Sequence, residues 1–368
     1  MISILGWWAL AFNPSKNEEK PAPSLTEVKK KPDFYEYLAP FDRNSIQKAL
    51  SGDFDLMTKL ILEWDVDAKI MESEGILGVR RLSRHSYVRS QVVGRHLKNA
   101  PSKKDQKKYL PQTYISATFL LALLEPEQIV GLPPGFRKQK NLFSQELYQK
   151  IPLDLERVNS ESIFQQKPDL AFVANYSQPS TIQALQNQGI ELFTLNAFNT
   201  IPEIADSIQQ IGQVVDRSIE AELMTLFMES ALIAIDNRLL AVHDNYIASN
   251  NPIRLMFLNY HTQFSVPTAR TITGHLLQRL MEHKIVSLSP APNHFSPWMN
   301  PIDQEKIANF NPDVLLIASQ PLKDPFSHKK LSSQIHFLDD DIQQSNTQYI
   351  VLAYFDLAEA ILSPFGGL

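Results

Sequence analysis

The chain has 368 residues, which exceeds what one hydrophobic core usually supports, so two lobes or domains are expected. Its 43% of hydrophobic and 20% of charged residues are typical of a globular protein, and the net charge of -5 gives no support for a nucleic-acid-binding protein. The chain contains no cysteine, which excludes disulfides, thiolate metal sites and cysteine nucleophiles.

Residues 1–40 are predicted to be an N-terminal apolar segment followed by a tether. The first residues, MISILGWWALAFNPS, contain an apolar run that is too short to span a bilayer. The run resembles the apolar part of an export signal, although no Lys or Arg precedes it. The sequence leaves open a degenerate or truncated export signal, a surface anchor, or an apolar tail that packs on the fold. The polar residues that follow, rich in Lys, Glu and Pro, are typical of a tether.

A mainly helical extension is predicted for residues 41–105. In the stretch IQKALSGDFDLMTKLILEW, apolar residues recur at three- and four-residue steps, as on one face of a helix. The basic stretch from Arg80 to Lys108 is interpreted as a solvated helical face and loop, with a patch for phosphate or acidic partners as the alternative.

A first lobe is predicted for residues 106–215, where short strands alternate with helices. KPDLAFVA has the pattern of a buried strand, and GIELFTL is a second strand after a helix from about Ser180 to Gln188. Strand, helix and strand in this order favour a parallel sheet covered by helices.

A long interlobe helix is predicted within residues 216–250, and a second lobe within residues 251–368. Pro and Gly are absent from Arg217 to about His243, and Asp216 stands where an N-cap would. The stretches IRLMFLNY, NPDVLLIA and QIHFLDD provide strands of the second lobe. The predicted fold is therefore α/β, with two Rossmann-like lobes of parallel sheet joined by one long interlobe α-helix, plus the mainly helical extension.

One short module occurs twice, as ESIFQQKPDLAFVA and as EKIANFNPDVLLIA. In each copy a glutamate, Glu161 or Glu305, lies in the first turn of a short helix, where the helix dipole favours a carboxylate. Pro168 and Pro312 end these helices, and the Asp that follows begins a turn into a buried strand. The dipole alone accounts for a carboxylate at this position, so a functional role for the two glutamates stays open at this point.

Five segments carry a resemblance to a known family. They are PQTYISATFLLALLEPEQIVGLP, ESIFQQKPDLAFVA, LQNQGIELFTLNAFNTIPEIADSIQQIGQVVDRSIEAE, RLMFLNY and DQEKIANFNPDVLLIA. In order and spacing they resemble the helical-backbone class of periplasmic substrate-binding proteins, which serve ABC importers for ferric siderophores, haem and cobalamin. The resemblance covers about residues 106–356.

This resemblance implies a solute-binding protein that captures an iron chelate or cobalamin between its lobes and delivers it to an ABC permease. It implies a monomer in the periplasm or associated with the cell envelope, without an intrinsic cofactor. In the family, the glutamate seven residues before each Pro-Asp pair contacts arginines of the permease. Carried over by position, the permease-docking residues are Glu161 and Glu305.

Candidate ligand-binding residues follow the predicted strand ends, because ligands of such sheets bind outside the carboxyl ends of the strands. They are Tyr176, Tyr260, His261, His294, Trp298, Arg270 and Tyr114. Tyr and His can ligate haem iron, aromatic rings can stack on flat macrocycles, and Arg can bind the acidic groups of a siderophore or a haem propionate. The alternatives are core packing for the aromatic residues, loop hydrogen bonding for the histidines, and a contact within its own helix start for Arg270.

Motifs typical of enzymes are absent from the sequence, including Gly-rich phosphate loops, Gly-x-Ser-x-Gly and His-Glu-x-x-His. A compact set of His and carboxylate residues for a bare metal ion is also absent. These absences favour a binding protein over an enzyme. Two other hypotheses stay open: a binding-protein fold repurposed for signalling or surface attachment through residues 1–105, and a redox or cofactor-assembly scaffold, which would need cysteines for clusters.

Overall fold

A computed structural model gives the structure of the protein. It describes residues 37–39, 41–82, 107–139, 141–156, 160–196, 198–246, 252–283, 285–289, 298–318, 326, 333–343, 345–363 and 367–368. The predicted apolar segment, most of the tether and of the basic stretch, and His294 lie outside these residues. In the described part of the chain, every helix is too short or too polar to cross a lipid bilayer.

The extension contains two helices, α1 (Arg43–Leu50) and α2 (Phe54–Ser73). Each follows an aspartate, Asp42 or Asp53, whose carboxylate accepts a hydrogen bond from the backbone N–H three residues later, at 2.9 and 3.0 Å. Such N-caps satisfy backbone donors that the helix itself leaves unpaired. α2 turns an apolar face that includes Trp64 towards the rest of the protein.

Residues 106–215, which we call lobe 1, form a parallel sheet with helices. The elements are β1 (Tyr109–Pro111), α3 (Tyr114–Leu123), β2 (Gly131–Leu132), α4 (Gln145–Lys150), β3 (Leu153–Asp154), α5 (Ser160–Gln165), β4 (Leu170–Ala174), α6 (Pro179–Asn187), β5 (Glu191–Leu195) and α7 (Ile201–Val214). The strand order is β1-β4-β5, and β2 and β3 form a separate parallel pair. One parallel bridge joins Tyr109 of β1 to Ile129, just before β2. Every residue of β4 is buried, as the apolar run KPDLAFVA predicts.

One long helix, α8 (Ser218–Tyr246, 29 residues), leads from lobe 1 to the second lobe. The prediction that Asp216 caps it is wrong: Asp216 has a φ of 56° and belongs to the end of α7. There Arg217 donates its N–H to the carbonyl of Gly212 at 2.7 Å, a bond typical of a helix C-terminus. Gly212 also permits the close approach of α7 and α8, because a Cβ at this position would collide with Ala221.

Residues 251–368, which we call lobe 2, form a mixed sheet. The elements are β6 (Ile253–Tyr260), β7 (Phe264–Pro267), α9 (Ile272–Met281), β8 (Ile285–Ser287), β9 (Met299–Pro301), α10 (Gln304–Phe310), β10 (Val314–Ala318), β11 (Gln334–Leu338), α11 (Asp340–Gln343) and α12 (Ile350–Leu362). The order is β11-β10-β6-β7-β9, and β8 pairs with the start of β6. β10 and β11 are parallel to their neighbours, as predicted, and so is β8, a strand that the sequence analysis did not identify. β7 is antiparallel to both β6 and β9.

The aspartate of each repeated module has the same structural role in both lobes. Asp169 accepts a hydrogen bond from the backbone N–H of Lys108 at 2.7 Å, just before β1. Asp313 accepts the equivalent bond from the N–H of Arg254 at 2.8 Å, within β6. Each carboxylate therefore joins the start of its own strand to the start of the neighbouring strand.

We expect Asp313→Ala to lower the free energy of unfolding by about 1 to 2 kcal/mol, because the N–H of Arg254 then loses its acceptor. Urea denaturation followed by circular dichroism measures this change. Asp313→Asn, which keeps an acceptor oxygen, is the matched control and should lose less. Unchanged stability of the alanine variant would show that this bond does not contribute.

Candidate functional site

A cavity of about 270 Å³ lies between the two lobes. Lobe 1 contributes Tyr114, Thr118 and Leu142 to its wall, and lobe 2 contributes Asp341 and Asn346. Tyr114 follows β1 and Asp341 follows β11, so strand ends from both sheets meet at this cavity. Ligands of α/β sheets bind outside such carboxyl ends, and we therefore take this cavity as part of the candidate site.

A larger cavity of about 870 Å³ lies along α7 and α8, with Arg80, Leu232 and Arg279 in its wall. Its wall consists mainly of helix sides, with Arg80 and Arg81 from the segment after α2, and it contains no strand end. Size alone would favour it, but its position does not match the edge at which α/β sheets bind ligands. We therefore place the candidate site at the smaller cavity between the lobes.

Tyr114 is held in position by the start of α3. Thr113 caps this helix and exchanges hydrogen bonds with Ser116, which fixes the first turn directly after β1. The Tyr114 hydroxyl donates to the carbonyl of Pro134 at 2.8 Å, and its ring lies 5.3 Å from that of Phe136. Burial, and then the charge of Asp341, raise the pKa of Tyr114, so it stays a neutral phenol whose oxygen can still accept a hydrogen bond.

The wall opposite Tyr114 was not predicted from the sequence. Partial burial, and then the neighbouring charges of Asp339 and Asp340, raise the pKa of Asp341. Asn346 donates to the carbonyl of Phe198 at 2.8 Å and so ties this segment to the end of lobe 1. The sequence does carry a signal for this wall. The acidic run DDD follows directly after the predicted strand QIHFL, as the candidate tyrosines follow their own strands.

Tyr176 lies in the turn after β4, with 68% of its surface exposed. The hydroxyl of Ser177 accepts the N–H of Ala174 at 2.9 Å and stabilises this turn. Because β1 and β4 are adjacent and parallel, Tyr176 and Tyr114 follow strands that end at the same edge of the sheet. Both tyrosines are thus on the side of lobe 1 where a ligand is expected.

Tyr260 and His261 lie where β6 turns into β7. Tyr260 is the last residue of β6, is partly buried, and packs its ring 4.8 Å from that of Phe264. His261 is exposed in the three-residue turn that follows. Tyr260 therefore contributes to the packing of lobe 2, whereas His261 is exposed at the end of the strand.

Arg270 and Trp298 lie in two loops that meet at the other end of β7. The N–H of Thr268 donates to the carbonyl of Trp298 at 2.9 Å, which joins the two loops. Arg270 is exposed and does not cap α9, because the hydroxyl of Thr271 accepts the helix N–H at 3.0 Å. β7 has four residues, so this pair is about 10 Å along the strand from Tyr260 and His261. The candidate residues of lobe 2 thus form two groups, and His294 lies outside the described residues.

Glu161 and Glu305 occupy the same exposed position in the two lobes. Each lies in the first turn of its short helix, and each helix ends before a left-handed residue, Lys167 with φ 52° or Asn311 with φ 44°. The aspartate before the second helix, Asp303, accepts the N–H of Lys306 at 2.8 Å as an N-cap. The geometry of the repeated module is therefore alike in both lobes, and the role of its glutamates stays a prediction.

The model of a family described as periplasmic binding protein matches residues 116–348. A search of the curated proteins found no match. In the described ranges, no three His, Asp or Glu side chains come together as a set that could hold a metal ion.

Solved structures of similar fold include three bacterial proteins. A possible iron-binding (periplasmic solute-binding) protein from Staphylococcus epidermidis has a TM-score of 0.54 at 16% identity, over 70% of this chain and 99% of that chain. A periplasmic heme-binding protein from Pseudomonas aeruginosa has a TM-score of 0.52 at 15% identity, over 69% and 92%. FhuD2 from Staphylococcus aureus has a TM-score of 0.55 at 14% identity, over 70% and 99%.

At these identities the structural likeness shows the fold, and it confirms the predicted α/β class with two lobes. The match to the family model extends over well more than half of the chain. This protein therefore belongs to the periplasmic binding protein family.

Proposed function

We propose that this protein is a solute-binding protein that captures an iron chelate, either a ferric siderophore or haem, or cobalamin, and delivers it to an ABC permease. The observation that carries the proposal is the cavity between the lobes, where Tyr114 and Asp341 follow strand ends of the two sheets. The fold is shared with proteins whose own descriptions are iron-binding or heme-binding. We further propose that it acts in the periplasm or at the cell envelope.

The ligand in this proposal extends beyond the cavity. A volume of about 270 Å³ is below the range of roughly 300 to 1,000 Å³ that small-molecule sites usually have. We therefore propose that the ligand also covers the loops that carry Tyr176 and His261. Anionic groups of the ligand would lie near Arg270 and away from Asp341, because a guanidinium attracts them and a carboxylate repels them.

A binding screen tests this function. Haem, cobalamin and a panel of ferric siderophores are titrated into the purified protein, with tryptophan quenching and visible absorbance as the readouts. Saturable binding of one ligand class is the expected result. Saturable binding of none of them would remove the proposed function and favour a binding-protein fold repurposed for signalling or surface attachment.

We expect Tyr176→Ala and His261→Ala each to weaken binding by about 1 to 3 kcal/mol, since both side chains are exposed at strand ends. Isothermal titration measures the affinity, and thermal unfolding should change little because neither side chain is buried. Tyr37→Ala, which removes an exposed tyrosine of the tether, is the matched control. For haem, a Soret band that shifts in His261→Ala or Tyr260→Phe would identify an axial ligand. Unaltered affinity in both alanine variants would remove these residues from the site.

A further inference from the structure

Polar side chains of α1 contact both lobes. Arg43 forms a two-pronged ion pair with Asp356 of α12, at 2.6 and 2.9 Å. Towards lobe 1, the side-chain amide of Gln47 donates to the carbonyl of Asn141 at 2.6 Å. One turn of α1 therefore binds lobe 1 through Gln47 and lobe 2 through Arg43.

The end of α1 meets the back of the interlobe cavity. The hydroxyl of Ser51 lies 2.9 Å from that of Tyr349 and 3.3 Å from the carbonyl of Leu142. Next to it, the amide of Gln348 donates to the carbonyl of Leu50, at the end of α1, at 3.2 Å and to that of Thr118 at 3.3 Å. Since Leu142 and Thr118 both line the cavity, these bonds connect the extension with the cavity wall.

α2 and the residues after it fasten the extension to the interlobe helix. Asp67 of α2 and Arg238 of α8 form a buried ion pair at 2.9 Å. Trp64 packs its ring 5.3 Å from that of Phe227 of α8. Breaking a buried pair of this kind costs several kcal/mol, so the extension cannot move independently of α8.

Besides α8, direct bonds such as that of Asn346 to the carbonyl of Phe198 join the two lobes. Lobes joined in this way can still rock about the helix, because hinge motions need only a few residues to change their dihedral angles. In this protein, a motion that opens the cavity would pull Asn141 away from Gln47 or Asp356 away from Arg43. We propose that residues 41–82 act as a brace that fixes the mutual orientation of the two lobes, so that the interlobe cavity is already formed before a ligand binds.

The absence of cysteine allows a direct test on the full, unliganded chain. Gln186→Cys in α6 and Lys306→Cys in α10 place one spin label on each lobe, at exposed positions. Pulsed electron double resonance then gives the distribution of interlobe distances. With the brace intact, we expect one narrow distribution. Adding Arg43→Ala and Gln47→Ala should broaden it and shift it to longer distances.

Lys48→Ala is the matched control, because Lys48 lies on the same helix and pairs with Asp53 inside the extension, at 3.3 Å. It should leave the distribution unchanged. If the double variant unfolds, Gln47→Ala alone removes only the bond to lobe 1 and should give a smaller broadening. A broad distribution with the brace intact, or an unchanged one in folded variants without these bonds, would overturn the proposal. Neither outcome depends on which ligand the protein binds.

Discussion

Replacing Asp236 with alanine is expected to lower the free energy of unfolding by about 3 to 5 kcal/mol. Asp236 lies in α8, is fully buried, and binds side chains from three other parts of the chain. It accepts bonds from Arg279 at 2.6 Å, Arg80 at 2.9 Å and Tyr354 at 2.7 Å, and it lies 3.0 Å from His283. The alanine variant would leave the buried His283 and Tyr354 and the two partly exposed arginines without their common partner.

Denaturation in guanidinium chloride measures this loss, with Asp236→Asn as the variant that keeps the shape and one acceptor oxygen. The asparagine variant should lose less than the alanine variant, since it removes the charge but not the hydrogen-bond acceptor. Arg279→Ala in the background of Asp236→Ala should cost less than it does alone, because the pair is already broken. Additive losses would show that the two residues do not act together.

The same carboxylate makes stability depend on pH. Burial alone would raise the pKa of Asp236, but the hydrogen bond with His283 and the interactions with Arg279 outweigh it and hold the pKa below its ordinary 3.8. A carboxyl group whose pKa is lower in the folded than in the unfolded state stabilises the fold at pH values above its unfolded-state pKa. This contribution is lost as the pH falls through the folded-state pKa. The difference in unfolding free energy between the unsubstituted protein and Asp236→Asn should therefore keep its full value above pH 3.8 and decrease below it.

Changing both Glu161 and Glu305 to glutamine is expected to reduce uptake of the cognate chelate more than either change alone. Each lobe would lose its own anchor to the permease, and two anchors set a spacing that gives specificity more than affinity. Ligand affinity should stay the same. Folding stability should fall by only about 0.3 to 1 kcal/mol for each glutamate, from the lost interaction with the helix dipole.

The measurement is uptake by proteoliposomes that contain the permease, with ligand binding followed in parallel on the same variants. Glu191→Gln is the control, because Glu191 is an exposed carboxylate at the amino end of β5. Full uptake by the double variant would leave only the dipole explanation for these glutamates. Lost ligand binding would place them in the cleft.

Individual strands and helices could be predicted because their signals lie in neighbouring residues of the sequence. A proline, an aspartate and an apolar run predict β4 and β10, and apolar periodicity predicts α2. β7 and β9 were missed since both are short and end in proline, which argues against a strand. Their pairing places Trp298 beside Thr268, which no local pattern indicates.

Contacts that join distant parts of the chain could not be predicted. In the sequence Asp236 is one of several acidic residues of α8, and its partners Arg80 and Tyr354 are 156 and 118 residues away. The opposition of Tyr114 and Asp341 across the cavity likewise follows from the docking of two lobes. Sequence patterns give strand ends, and only the tertiary structure brings particular strand ends together.

The ion pair between Arg43 and Asp356 joins residues that are 313 positions apart, which has a consequence for synthesis. At about 5 to 20 residues per second, roughly 15 to 60 seconds pass on the ribosome between these two residues. During this interval α1 and α2 have been made, but α12, on which α1 packs, has not. α2 can already dock on α8, as in the finished protein, but α1 lacks its partner, so the apolar face of α1 is prone to aggregation until the end of the chain has emerged.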